Sequence, residues 1–188
     1  SEGAPFGKEV SRALNYVLQL AENHRLETKN YDGYMGEIIA KNLHTTNVDA
    51  VIGILCHVDV VAGGEGWNTD PFKAEIIDGK LFGRGSLDDK APIISCLYAI
   101  KHLQEEDLIP PGLEIRLIIG TDEESNWEDV NYYLQQVSRL PDLSFVPDAN
   151  FPLITCEKGL LDFDLSYSSR DDRTAPLQII SMTGGTAR

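Results

Sequence analysis

The sequence predicts an α/β domain in which a mostly parallel central sheet is flanked by helices. Two nearly continuous apolar runs, "AVIGILCHVDVV" and "LEIRLIIG", are typical of strands that are buried on both faces of a sheet. A segment whose apolar residues recur at helical spacing lies between them, from about residue 91 to residue 106. Strands that alternate with helices in this way favour parallel pairing, because parallel strands need a crossover connection.

The remaining elements follow from local patterns. An amphipathic helix is predicted over residues 8–24, and a strand is predicted within "GYMGEIIAKN". The Asp-Gly pair at residues 78–79 is a hairpin turn signal, so two short strands are expected around it. Ser125 and Glu128 form a capping box that predicts the start of another helix. The segment "LSFVPD" predicts a third strand.

The hydrophobic pattern changes near residue 160, which indicates a domain boundary. Residues 1–160 are predicted to form the N-terminal part of the α/β domain. The later segments "LLDFDLSYSS" and "LQIISMTGG" alternate like antiparallel strands with one solvated face. Residues 161–188 are therefore predicted to begin a small α+β domain, which is expected to be truncated because so short a segment cannot close a core.

The composition argues against two classes of partner. The formal net charge of −14 at pH 7, with no Lys/Arg cluster to offset it, predicts that the chain binds neither nucleic acid nor anionic membrane. No apolar run approaches the roughly 20 residues of a membrane span. The three cysteines form no CxxC pair and are expected to be free thiols, which favours a cytoplasmic location. The oligomeric state stays open.

Titratable side chains stand where four predicted elements end or begin. The first apolar run ends in His57 and Asp59, which share one face because strand side chains alternate. The other positions are, in chain order, Asp88 and Asp89, Glu123 and Glu124, and Asp148. The carboxyl ends of parallel strands meet at one edge of a sheet, and α/β proteins bind their ligands there.

Each cluster alone also has an ordinary structural explanation. Asp88 and Asp89 could favour a helix N-terminus through its dipole. Glu123 and Glu124 could be solvated charges, and Asp148 could be a turn residue. Converging carboxylates would repel one another strongly in a partly buried site, however, and a divalent cation removes that repulsion. The four clusters together therefore predict a metal centre.

The donor set indicates which metals and which chemistry to expect. One histidine with oxygen donors suits zinc, cobalt or manganese. The adjacent pair Glu123 and Glu124 allows one carboxylate to bind metal while its neighbour takes a proton from water. A bridging carboxylate would hold two metals, as in two-metal hydrolases.

Four ordered motifs, "HVDVV", "GRGSLDDK", "GTDEESNW" and "PDANFP", resemble those of the co-catalytic zinc exopeptidase family. That family contains aminoacylase, glutamate carboxypeptidase and succinyl-diaminopimelate desuccinylase. The "GEGWNTDPF" loop and "EESNW" resemble most its bacterial dipeptidase V, or carnosinase-like, branch. The resemblance extends from about residue 7 to Arg188, and it implies the family's catalytic domain, here incomplete, followed by the start of its lid domain.

The resemblance implies a role for each candidate residue. By motif, the metal ligands would be His57 and Asp148 at one zinc ion, Glu124 at the other, and Asp88 between the two. Glu123 would be the general base, which takes a proton from the bridging water and hands it to the leaving amine. Asp59 would orient the His57 imidazole. The implied reaction is hydrolysis of the amide bond of a dipeptide, so a small peptide is the expected substrate.

This sequence departs from the family pattern in three respects. Ala62 stands where the family commonly has a proline, and Ala91 stands where it usually has a glycine. Both are local backbone differences that are not expected to change the chemistry. Family members are also longer, and they supply a last metal-binding histidine after the lid. Two alternatives therefore stay open: a catalytically incomplete fragment or metal-binding remnant, and an N-acyl amino acid deacylase of the same family.

Overall fold

The computed structural model describes residues 3–156 and residue 159. Its helices and strands are, in chain order, α1 (Lys8–Asn23), β1 (Glu27–Tyr31), β2 (Met35–Lys41), β3 (Ala50–His57), β4 (Glu75–Ile77), β5 (Lys80–Phe82), α2 (Lys90–Glu105), β6 (Leu113–Gly120), α3 (Glu128–Gln136) and β7 (Leu143–Phe145). Among these described residues, no helix is both long enough and apolar enough to cross a membrane.

Five strands form the central sheet in the order β1-β2-β6-β3-β7. Strands β6, β3 and β7 pair in parallel, with β3 between the other two, and α2 lies between β3 and β6 in the chain. Strands β1 and β2 extend the sheet from β6 in antiparallel pairing. The sheet is therefore mixed, with parallel strands at its centre and helices on its faces, and the predicted fold class is confirmed.

The two faces of the sheet are covered differently. Helices α1 and α2 cover one face, where the apolar side chains of Leu14, Leu97 and Leu117 are fully buried. Helix α3 covers the other face, where Tyr133 packs with Met35 and other apolar side chains. Because β3 and β6 are buried along most of their length, the residues at their carboxyl ends are held in fixed positions.

Two elements differ from the sequence-based expectation. Strand β1 was not predicted, because "ETKNY" is polar and mostly exposed and so lacks an apolar pattern. The capping-box prediction was wrong: α3 begins at Glu128, after Trp127 with φ 58°, and no side chain caps it from that position. Instead, the carboxylate of Asp122 accepts a hydrogen bond from the Glu128 backbone N–H at 3.0 Å. Asp122, three positions before Ser125, therefore supplies the hydrogen-bond acceptor for the first backbone N–H of the helix.

The hairpin was predicted correctly. Strands β4 and β5 pair with each other as a separate two-stranded sheet. The turn residues Asp78 and Gly79 have φ of 50° and 75°, the positive values that a two-residue hairpin turn requires. The predicted small domain at residues 161–188 lies outside the described residues, as do its two expected strands, so that domain division stays a prediction.

A buried acid lies between the sheet and α3. Glu37 on β2 is fully buried, and its two carboxylate oxygens accept hydrogen bonds from the hydroxyls of Tyr133 at 2.5 Å and Tyr31 at 2.8 Å. The Arg116 guanidinium lies 3.5 Å from the same carboxylate and 2.6 Å from that of Glu114. Burial raises the pKa of both tyrosines, and the Glu37 carboxylate raises it further. The tyrosines therefore stay neutral donors in the folded chain.

We expect Tyr133→Phe to lower the free energy of unfolding by about 1–3 kcal/mol, because it removes a donor from a buried carboxylate oxygen. Tyr31→Phe removes the same chemical group from a half-buried position, and we expect a smaller loss of about 0.5–1.5 kcal/mol. Urea unfolding of the two variants and the wild type measures both values. Equal losses would contradict the conclusion that burial sets the cost of losing these bonds.

Candidate metal centre

The carboxyl ends of the parallel strands bring the predicted site residues together. His57 is the last residue of β3 and pairs with Gly120, the last residue of β6. Glu123 and Glu124 follow β6, Asp148 follows β7, and Asp88 lies just before α2. Because these elements end at the same edge of the sheet, their side chains converge on the His57 ring, as the order of strands and acids predicted.

Three carboxylates face one nitrogen of the buried imidazole. The Nε2 atom of His57 lies 3.1 Å from Asp88 Oδ1, 3.3 Å from Asp148 Oδ2 and 3.9 Å from Glu123 Oε2. The His57 side chain is only 2% exposed, whereas that of Asp88 is 59% exposed. The carboxylates therefore form the solvent-facing side of a centre whose floor is the imidazole.

Two groups of side chains could each hold a metal ion. The aspartate group consists of His57, Asp88 and Asp148, and the glutamate group consists of His57, Glu123 and Glu124. In each group, one donor atom from every residue lies within 4.8 Å of the others. An imidazole nitrogen with carboxylate oxygens fits zinc, cobalt or manganese. In the described part of the chain, Asp88 and Glu124 do not fall into one group.

Asp59 connects the imidazole to the loop that carries the glutamates. The Nδ1 atom of His57 lies 3.1 Å from the Asp59 carbonyl oxygen and 3.4 Å from its carboxylate. The other carboxylate oxygen accepts a hydrogen bond from the Glu124 backbone N–H at 3.0 Å. Two acceptors at Nδ1 keep that nitrogen protonated, so Nε2 is the nitrogen that would give up its proton and bind a metal ion.

Asp89, which the family motif did not give as a metal ligand, occupies a different position from that of Asp88. It precedes α2, but its side chain does not cap the helix. The carboxylate is fully buried and accepts a hydrogen bond from the His57 backbone N–H at 3.0 Å. The next residue, Lys90, donates from Nζ to the Val58 carbonyl oxygen at 2.7 Å. Asp89 and Lys90 therefore hold the end of β3, while Asp88 faces the centre.

The electrostatics of the centre call for a positive charge. Burial lowers the pKa of His57, but hydrogen bonding to Asp59 and the charges of Glu123 and Asp148 outweigh it and raise the pKa to about 9. Burial raises the pKa of Glu123 and of Asp148, and neighbouring carboxylates add to both shifts. A protonated imidazole supplies the positive charge when no metal is bound. A divalent cation would meet the same need more fully, so the residues fit a metal.

An apolar recess of about 50 Å³ opens beside the centre. Its apolar lining includes Met35, Leu55, Trp127, Val130 and Val146, and His57 and Glu123 border it. A ligand at the centre could therefore place a small apolar group next to the polar side chains.

The fold and the geometry together define an α/β domain with a candidate metal centre at the carboxyl ends of its parallel strands. Residues 53–167 match the sequence profile of Peptidase family M20/M25/M40. The chain belongs to this family. Candidate metal-binding residues at the strand ends are consistent with that membership.

Curated relatives carry names of the same kind. The chain is 42% identical over 178 residues to "Putative dipeptidase YtjP" of Bacillus subtilis (strain 168), a match that covers 95% of this chain and 37% of that protein. It is 42% identical over 173 residues to "Putative dipeptidase SSP1012" of Staphylococcus saprophyticus, covering 92% of this chain and 35% of that protein. The chain thus spans little more than a third of the length of these relatives.

Solved structures share the fold. Human carnosine dipeptidase 1 superposes with a TM-score of 0.59 at 19% sequence identity, over 74% of this chain and 33% of that chain. The M20 family metallo-carboxypeptidase Sso-CP2 from Sulfolobus solfataricus superposes with a TM-score of 0.58 at 21% identity, over 74% of this chain and 32% of that chain. The central sheet and its helices are therefore those of an M20 catalytic domain.

We expect the stability of the metal-free chain to fall between pH 6.5 and 9. The unfolded histidine titrates near about 6.5, whereas folded His57 has a pKa of about 9. In this interval the native state holds a proton that the unfolded state has lost. The free energy of unfolding then falls as the pH rises, by at most about 1.4 kcal/mol per pH unit.

Urea unfolding in the presence of EDTA at several pH values measures this dependence. The fall in the free energy of unfolding with rising pH should become smaller in His57→Gln. It should persist in His44→Gln, which replaces an exposed histidine paired with Asp107. A wild-type stability that stays constant or rises across the interval would contradict the proposed charge state of His57.

Proposed function

We propose that this chain carries the metal centre of a dipeptidase, which hydrolyses the amide bond of dipeptides with metal-activated water. The observation that carries the proposal is the convergence of Asp88, Asp148 and Glu123 on the Nε2 atom of buried His57. Membership of Peptidase family M20/M25/M40 and relatives named as dipeptidases support the same reading.

Two zinc ions are the proposed cofactors, with cobalt or manganese as possible substitutes. His57, Asp88 and Asp148 would hold one ion, and Glu124 would contribute to holding the other, with Asp88 also reaching between them. When bound, the ions would polarise the amide carbonyl and lower the pKa of water. Of the three carboxylates that face His57 Nε2, Asp88 is the most exposed to solvent.

Glu123 is the proposed general base. Its side chain is 36% exposed and lies within 3.9 Å of His57 Nε2, so it can reach both the centre and solvent. Burial raises the pKa of Glu123, and the adjacent carboxylates raise it further, although His57 opposes the shift. A raised pKa suits a carboxylate that takes a proton from the attacking water and returns it to the leaving amine.

Asp59 is proposed to act by holding the His57 imidazole. Burial alone would raise the pKa of Asp59, but hydrogen bonds from His57 and from the Glu124 backbone N–H lower it overall. The carboxylate therefore stays ionised and keeps the ring oriented, with Nε2 towards the ligands. The same carboxylate fixes the backbone of Glu124, so one side chain orients groups on both sides of the centre.

A small peptide is the proposed substrate, and N-acyl amino acids are the alternative that the family allows. The apolar recess next to Glu123 would accept a small side chain in either case. We also propose a cytoplasmic location, because the thiols of Cys56 and Cys96 form no disulfide within the described residues. The net charge of −14 supports the expectation that neither nucleic acid nor membrane is a partner.

We expect the chain to bind zinc in equilibrium dialysis and Glu124→Gln to weaken that binding, because it removes a charged ligand. Glu123→Gln should leave zinc bound and lower the rate of dipeptide hydrolysis by about 10²–10⁴-fold, the usual effect of losing a general base. Glu128→Gln is the matched control, since Glu128 is a neighbouring exposed acid outside both metal groups.

Three outcomes would revise the proposal. Absence of zinc binding by the wild-type chain would overturn the metal centre. Zinc binding without hydrolysis would favour the alternative of a metal-binding fragment, which the coverage of little more than a third of the relatives makes the second candidate. Hydrolysis of N-acetyl amino acids in preference to dipeptides would change the substrate while keeping the site.

A further inference from the structure

The proposed base and the proposed second ligand lie on one short loop between β6 and α3. This acidic loop, residues 121–127, begins directly after Gly120 at the end of β6. Among its members, Glu123 and Glu124 belong to the glutamate group. Their positions relative to His57 therefore depend on what fixes the backbone of this loop.

A buried aspartate on α3 anchors the start of the acidic loop. Asp129 is 1% exposed, and its Oδ2 atom accepts hydrogen bonds from the backbone N–H of Thr121 at 2.7 Å and of Asp122 at 3.1 Å. Its other oxygen accepts from the Val130 N–H at 2.7 Å. Burial raises the pKa of Asp129, and these three N–H groups oppose the shift. The bonding capacity of this carboxylate is thus directed at the backbone.

The anchoring is reciprocal. The carboxylate of Asp122 accepts from the Glu128 backbone N–H at 3.0 Å, and its carbonyl oxygen accepts from the Trp127 N–H at 3.1 Å. Asp129 at the start of α3 thus binds the beginning of the acidic loop, and Asp122 at the beginning of the loop binds the start of α3. The two ends of the loop are therefore held together by two acids. On its opposite side, the loop is tied to the end of β3 through the Glu124 N–H and Asp59.

The close approach of Asp129 to β6 also requires a glycine. A Cβ atom at Gly120 would lie 2.8 Å from Asp129 Oδ2, which is closer than real Cβ atoms come to other atoms. Gly120 pairs with His57 across the sheet, so the carboxylate is anchored beside the floor of the centre. A larger residue at position 120 would displace the carboxylate from the N–H groups that it binds.

We propose that Asp129 is a positioning residue, whose carboxylate sets the place of Glu123 and Glu124 at the metal centre by fixing the backbone of Thr121 and Asp122. It belongs to neither metal group, and it acts through the acidic loop. This inference rests on the proposed function for its metal readout, but the backbone anchoring stands on the hydrogen bonds alone.

Zinc titration of the 188-residue chain tests the proposal. We expect Asp129→Ala to lower zinc affinity about tenfold, at the low end of what indirect supports of metal ligands contribute. Asp129→Asn keeps an acceptor and the shape, so it should recover part of the loss. The effect of Asp129→Ala should shrink in a Glu124→Gln background and persist in full in an Asp148→Asn background, because Glu124 lies on the acidic loop and Asp148 does not.

Asn42→Ala is the matched control for a purely structural effect. Asn42 is also buried, and it bonds Ile109 and His44 near the opposite end of β6. The Asn42→Ala variant should lower the midpoint of thermal unfolding and leave zinc affinity unchanged. A lower midpoint with unchanged affinity in Asp129→Ala, or an equal loss in both ligand backgrounds, would overturn the proposal.

Hydrogen exchange separates this inference from the proposed function. In Asp129→Ala, the amides of Thr121 and Asp122 should exchange at least tenfold faster, while those within β2 stay protected. Gly120→Ala should speed the same two amides although it keeps the carboxylate. If the wild type binds no zinc, the proposed function fails. The exchange rates of the Thr121 and Asp122 amides then still test whether Asp129 anchors the loop. Unchanged exchange at Thr121 and Asp122 would overturn it.

Discussion

The structure depends on holding several carboxylates close to one buried imidazole. Like charges at these distances repel, so the arrangement persists only where the backbone is over-determined and a positive charge is at hand. The parallel strands meet the first condition, because β3 and β6 are buried and end together. His57 meets the second, through the carboxylates that raise its pKa. The chemistry of the centre is therefore inseparable from the register of two strands.

Six acids at or near the metal centre divide into two kinds according to the groups that they face. Asp88, Asp148 and Glu123 face the imidazole and compete for one cation. Asp59, Asp89 and Asp129 instead accept backbone N–H groups, from Glu124, from His57, and from Thr121 and Asp122, respectively. The acids of the second kind need no contact with a ligand, because they fix the backbone of the segments that carry His57, Glu123 and Glu124. These buried carboxylates therefore stabilise the backbone around the centre.

Much of the fold and of the site could be predicted from the sequence, because strand ends are marked by polarity. His57, Glu123 and Asp148 follow apolar runs, and parallel pairing puts them at one edge. Strand β1 was missed because an exposed edge strand has no apolar pattern. The start of α3 was misplaced because Asp122, not Ser125, satisfies its first turn. The family motif indicated Asp88 of the adjacent pair as the ligand, but no sequence pattern predicted that Asp89 would bind the His57 backbone N–H.

His57 is shared by both metal groups, and this has a consequence for the kind of ion that each can hold. A neutral imidazole protonated at Nδ1 has a single lone pair, on Nε2, and it binds one cation at a time. Once the aspartate group has taken that lone pair, Glu123 and Glu124 offer only hard oxygen donors from the described part of the chain. Nitrogen donors suit zinc, and all-oxygen sets suit manganese or magnesium. Within the described residues, the two groups therefore differ in their donors once His57 is engaged: the aspartate group combines nitrogen with oxygen, and the glutamate group is left with oxygen alone.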